Sequence, residues 1–86
     1  MEIDALKIAL LAAGAPEDVH VAGIHGELEH WLDRQLGTDE LDAALGELQS
    51  LMLVAMSPSS DGRVMFRTTD AGRAIVAARW EEFFPE

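Results

Sequence analysis

The apolar positions along the chain fall into helical stripes interrupted by one alternating segment. From Thr38 the sequence reads TDELDAALGELQSLMLVAMSPSSDGRVMFRTT. Leu41, Leu45, Leu48 and Met52 recur at spacings of four, three and four, and with Ala44 and Leu51 they make one face of a helix. Gly37 suits the end of a preceding helix, and Thr38 or Asp39 suits the cap of this one. Asp39, Glu40 and Asp42 then lie where a helix dipole favours negative charge. After Met52 the pattern changes to Leu53-Val54-Ala55-Met56, a cluster of turn formers from Ser57 to Gly62, and an alternating run. Val64, Phe66 and Thr68 share one face of that run, and Arg63, Met65 and Arg67 the other. Two such runs around a Pro/Ser/Asp/Gly loop predict a β-hairpin over about 53–68.

The flanking segments are helical. Glu2 to Ala13 predicts a first helix with Ile3, Leu6, Leu10 and Ala13 on one face and Ile8, Ala9 and Leu11 widening it. Gly14 and Pro16 end it. Val19-His20-Val21 alternates and suits a very short strand paired with the hairpin. A second helix is expected over about 24–36, burying Leu28, Trp31, Leu32 and Leu36, and a third over 38–52. Thr69 suits the cap of a last helix over 70–84, which Pro85 stops. Ala71, Ala74, Ile75 and Ala78 form one of its stripes. Val76, Trp80, Phe83 and Phe84 form another, at the spacing either of a dimerising or groove-binding helix or of one that folds back onto the first helix. The expectation is one domain, 1–86, of α+β class and mostly α.

Composition narrows the function classes. An apolar content of 49% argues against wholesale disorder. The chain has no Cys, so no disulfide or thiolate metal site is available. No apolar run approaches the roughly 20 residues of a membrane span. Glu2 and Asp4 stand where a signal peptide carries positive charge, so a cytoplasmic location is expected. Sixteen acids against six bases give a net charge of −10. Residues 1–57 hold eleven acids and two bases, and residues 58–86 hold five and four, so the imbalance is concentrated in the first part. A GC-rich genome or a salt-loving host would each account for part of it.

No catalytic or metal chemistry is readable. His20, His25 and His30 recur every five residues, which on a helix sets side chains about 140° apart, unlike the i, i+4 pair of helical zinc motifs. The glycines form no phosphate loop, and the carboxylates suit solvated helix faces. A non-enzyme without cofactor is expected.

The order helix, short strand, helix, helix, hairpin, helix resembles a small winged-helix domain of the MarR/PadR-type transcriptional regulators. GIHGELEHWLDRQLG looks like the second helix of such domains, and LDAALGELQSLMLV like their recognition helix running into the wing. DGRVMFRTTDAGRAI resembles the wing tip, second wing strand and Thr-x-Ala-Gly-Arg turn into the final helix. The resemblance implies a dimeric DNA-binding regulator whose recognition helix enters the major groove while the wing touches the backbone or minor groove. Carried over by position, its DNA contacts are Thr38, Asp39, Asp42, Ala43, Gly46, Glu47 and Ser50, with Arg63 and Arg67 in the wing.

The residues themselves depart from that pattern. Thr38 to Met56 contains no Lys or Arg, whereas phosphate neutralisation and guanine recognition both rely on those cations. Two expectations therefore stand side by side. The leading one is a module that binds a protein with a basic surface through an acidic face of the second and third helices, with Asp39, Glu40, Asp42 and Glu47 on it, and pairs through its last helix as a homodimer. The alternative is a dimeric DNA-binding regulator that uses Thr38, Ala43, Gly46 and Ser50 with Arg63 and Arg67, and Arg34 as a further cation.

Overall fold

The computed structural model describes residues 2–85; Met1 and Glu86, part of the expected 1–86 domain, lie outside the described residues. Helix α1 (Ala5–Ala13) begins later than the expected Glu2 because Asp4 is its cap, accepting the Lys7 amide hydrogen at 2.9 Å. Leu6 to Leu11 are buried without a break, Lys7 included. Strand β1 (Val19–His20) is the short strand expected from the alternation. A single 3-10 turn, Ala22–Ile24, leads into α2 (His25–Leu32).

Helix α2 stops well short of Leu36. Asp33 adopts a left-handed conformation (φ 54°), and the amide hydrogens of Asp33 and Arg34 bond back to the carbonyls of His30 and Glu29. Gly37 is therefore not the end of that helix. It is extended (φ −73°, ψ 147°) and precedes α3 (Thr38–Ser50), whose start no side chain caps, neither Thr38 nor Asp39.

The far end of α3 explains why the apolar stripe misleads there. Met52 is left-handed (φ 60°) and its amide hydrogen bonds to the Gln49 carbonyl at 3.0 Å, while that of Leu53 bonds to the Leu48 carbonyl at 2.9 Å. These are the paired bonds of a Schellman motif, which reverses the chain and brings the residue after the turn back onto the last helical turns. Leu53 enters the core at 7% exposure, and Met52, expected inside, stands 77% exposed. Leu51 is exposed too.

Strands β2 (Val54–Pro58) and β3 (Val64–Thr68) form the expected hairpin. The sheet is antiparallel in the order β1-β3-β2, with Met56 and Val19 both opposite Phe66. Phe66 and Thr68 point into the core; Val64 shares their face but runs past the core and is half exposed.

Helix α4 (Asp70–Phe83) starts at Thr69, whose hydroxyl accepts from the Gly72 amide. Its inner face is led by Gly72, with Ile75, Val76 and Trp80 half-buried, while Ala71, Ala74 and Ala78 are exposed. The alanine stripe fails because the closest approach is made by backbone. A Cβ on Gly72 would fall against the Leu53 carbonyl oxygen and 2.5 Å from Thr68 Cγ2. Arg73 reaches back from the same turn, donating to the Ala15 carbonyl at 3.1 Å. Thr69, Gly72 and Arg73 of the Thr-x-Ala-Gly-Arg turn thus each have a structural duty.

Two substitutions at these sites have opposite expected signs. Met52→Gly relieves a left-handed non-glycine residue, which costs roughly 1–2 kcal/mol, and gives up little packing. A stabilisation of about 1 kcal/mol is expected, raising the melting temperature by about 4–8 °C. Gly72→Ala forces α4 off the sheet and is expected to destabilise by about 1–3 kcal/mol. Urea denaturation of both variants checks the pair.

Candidate functional site

The outward face of α3 is the first candidate surface. At about 100° per residue, the buried stripe of Leu41, Ala44, Leu45 and Leu48 leaves Asp39, Ala43, Gly46 and Ser50 along the opposite line. All four are exposed and small or short, so this ridge permits close approach of a large partner. Thr38, Asp42 and Gln49 border it on one side and Glu40 and Glu47 on the other.

The four acids expected to make one face are therefore split. Glu40 accepts two hydrogen bonds from Arg34, at 3.0 and 2.9 Å. That bidentate pair holds the Glu40 carboxyl below and the Arg34 guanidinium above their ordinary values. Glu47 pairs with the buried Lys7 of α1, which also donates to the Glu2 carbonyl at 3.0 Å. Among the described residues Asp39 and Asp42 have no cationic partner. Lys7 and Arg34 were not singled out from the sequence as partners of these acids. A lone lysine inside the apolar run of α1 was the available signal for Lys7; the Arg34 pairing needs the α2–α3 turn, which the sequence places too late.

The turn between α2 and α3 is held by two side chains of α2. Glu29 accepts the Leu36 amide hydrogen at 2.8 Å, and His25 Nε2 donates to the Leu36 carbonyl. Both backbone groups of a buried residue are thus satisfied in a stretch with no secondary structure of its own. His25 has a structural role, His30 is exposed, and His20 sits half-buried on β1 with Nδ1 unpartnered. No group of three or more metal-ligand side chains comes together among the described residues.

At the hairpin tip Asp61 accepts from the Ser59 hydroxyl and from the Arg63 amide, which depress its pKa in that order. Gly62 supplies the positive φ of 84° that the turn requires. The Arg63 side chain folds onto Asp61 at 3.3 Å. Arg73 pairs with Asp70 and Arg79 with Glu82. Arg67, exposed on β3 opposite Ala55, is the one cation with no carboxylate partner among the described residues.

Between α3, the hairpin and the start of α2 lies an open cleft of about 610 Å³. Leu41 and Leu45 form its floor, Val21, Met56 and Val64 its far side, and Asp42 stands on its α3 wall. Away from the cleft lining, Trp80 of α4 meets Trp31 of α2 edge-on, with centroids 6.2 Å apart, and stacks on Phe84 at 4.5 Å. Arg79 lies over Phe83 at 5.5 Å. The expected ridge of Val76, Trp80, Phe83 and Phe84 is thus half-buried, with Val76 and Phe84 packed on the core.

A three-stranded sheet whose hairpin flanks an outward-facing third helix decides the architecture. The chain is a winged helix. Solved structures with this architecture include H. salinarum RosR, 21% identical with a TM-score of 0.81, over 94% of this chain and 74% of that one. PadR of Bacillus subtilis, solved in complex with operator DNA, is 16% identical with a TM-score of 0.75, over 87% of this chain and 46% of its own. A PadR-family transcription regulator of Clostridium difficile is 19% identical with a TM-score of 0.72, over 90% and 84%. No protein-family model and no curated protein sequence matches the chain. Among the described residues no helix is long and apolar enough to cross a membrane.

The Glu29 clasp has a measurable consequence for this winged helix. Glu29→Ala strands the Leu36 amide of a buried residue, so a loss of about 1–3 kcal/mol is expected. Glu29→Gln keeps an acceptor and is expected to lose less. Chemical denaturation of the two variants checks the ranking.

Proposed function

We propose that the chain is a non-enzymatic DNA-binding module of the transcriptional-regulator kind. It lays the Asp39, Ala43, Gly46 and Ser50 ridge of α3 in the major groove, with Thr38 at its edge, and sets Arg63 and Arg67 of the wing on the backbone. The observation that carries this reading is the pairing of Glu40 and Glu47, on the flank of α3, with Arg34 and Lys7. The charge against DNA on the ridge side falls to Asp39 and Asp42, and the free Arg67 stands on the wing. The likeness in fold to a regulator solved with operator DNA points the same way. Two of the four acids expected to bind a basic protein are paired within the chain, which weakens the support for that reading.

Asp39 and Asp42 still repel phosphate, so cations taken up beside them offset part of the counterion release at Arg63 and Arg67. Fluorescence anisotropy with a labelled mixed-sequence duplex, from low to molar KCl, tests the proposal. Affinity is expected to fall with salt far less than the steep loss of a protein neutralising many phosphates. Arg67→Ala is expected to weaken binding by about 3–10-fold, and Asp39→Asn with Asp42→Asn to strengthen it and restore a steeper salt dependence. No binding across the whole salt range overturns the proposal. Pairing of two copies through the Trp80 and Phe84 ridge belongs to the same proposal, in a cytoplasmic setting. Sedimentation as a monomer by both the parent and a Trp80→Ala, Phe84→Ala variant removes it.

A further inference from the structure

The cleft beside α3 has chemistry that contact with a duplex does not use. Its floor reaches the core, since Leu41 and Leu45 are 3% and 4% exposed. Phosphate oxygens gain nothing from such a floor, which strips water without returning hydrogen bonds. A volume of about 610 Å³ falls within the roughly 300–1,000 Å³ of small-molecule sites, which are mostly apolar with a few placed polar groups.

The charges on the walls select the ligand. Three ionisable side chains line the cleft: His25, Asp42 and Arg63. His25 Nε2 is taken by the Leu36 carbonyl, and Arg63 by Asp61. Asp42 alone is uncompensated, in a chain of net charge −10. A cation with an apolar body meets both demands: its body covers Val21, Met56 and Val64 above that floor, and its charge lies beside Asp42. An anion of equal size gains the same apolar contact and is opposed by the charge. We infer that this cleft is a binding site for a small apolar organic cation. The site does not require DNA to be bound.

Isothermal titration of the full chain with tetraphenylphosphonium, at low ionic strength and without DNA, tests the assignment. Tetraphenylborate serves as the size-matched anion. Saturable binding of the cation is expected, with little or none of the anion. Asp42→Asn is expected to weaken it about tenfold, with the melting temperature of the parent retained. Gly46 lines the cleft, and a Cβ there meets nothing within 4 Å, so Gly46→Phe fills the cleft from a helix position that tolerates a side chain. It is expected to abolish binding while the chain stays folded. Absence of saturable binding, equal affinity for the two ions, or unchanged affinity in Asp42→Asn overturns the inference. Amide shifts at Val21, Leu45 and Val64 that move with protein concentration alone show a second copy in the cleft, and overturn it as well.

Discussion

Thr68 is the buried knot on which the arrangement depends. Its side chain is 2% exposed, and its hydroxyl donates to the Leu11 carbonyl at 2.6 Å while its amide donates to the Gly14 carbonyl at 2.9 Å. Those bonds fasten the second wing strand to the end of α1. Beside them Phe66 lies so near Gly14 that a Cβ there would sit 2.7 Å from its ring. The Gly72 turn of α4 closes over Thr68 from the other side. A buried hydroxyl without a partner is costly, so this geometry tolerates little drift. The wing, which must stand at a fixed angle to α3 to do anything with it, is therefore tied to the core rather than hinged on its loop.

A second set of fixings sets α3 itself. Lys7 holds Glu47 from the α1 side, Arg34 holds Glu40 at the first turn, and Glu29 with His25 holds the Leu36 backbone before it. The exposed Arg34–Glu40 pair adds little stability, since solvent screens it. Its effect is on charge distribution. Two of the carboxylates that in the sequence look like a repulsive block are neutralised on one flank, leaving Asp39 on the ridge and Asp42 at its border without a cationic partner. On the proposed reading that ridge meets DNA with cations beside Asp39 and Asp42, and the cleft next to it takes an organic cation.

Most of the architecture was legible in the sequence because the signals were local and repeated. The Leu41, Leu45, Leu48 stripe, the turn cluster before Gly62, the alternation to Thr68 and the Thr69 cap each indicated their element, and even Val19-His20 pairs as its alternation suggests. The misreadings arose where backbone, not side-chain hydrophobicity, decided. Met52 and Asp33 turn left-handed without being glycine, so both helix ends came out too late. Gly72 carries no side chain to enter a stripe, yet it marks the inner face that Ala71, Ala74 and Ala78 were expected to make. The site was less legible. Sequence shows which residues are charged; it does not show that Glu47 meets Lys7 or that Glu40 meets Arg34, because those pairs depend on the packing of α1 against α3 and on the turn between α2 and α3.

The most direct test of the central claim, that the α3 ridge and the wing form one nucleic-acid surface, is amide-shift mapping of the isotope-labelled chain as a mixed-sequence duplex is added at low ionic strength. The account predicts shifts at Asp39, Ala43, Gly46 and Ser50 together with Arg63 and Arg67, and none along Trp80 to Phe84. Shifts absent from the ridge, or confined to the aromatic face of α4, would contradict it.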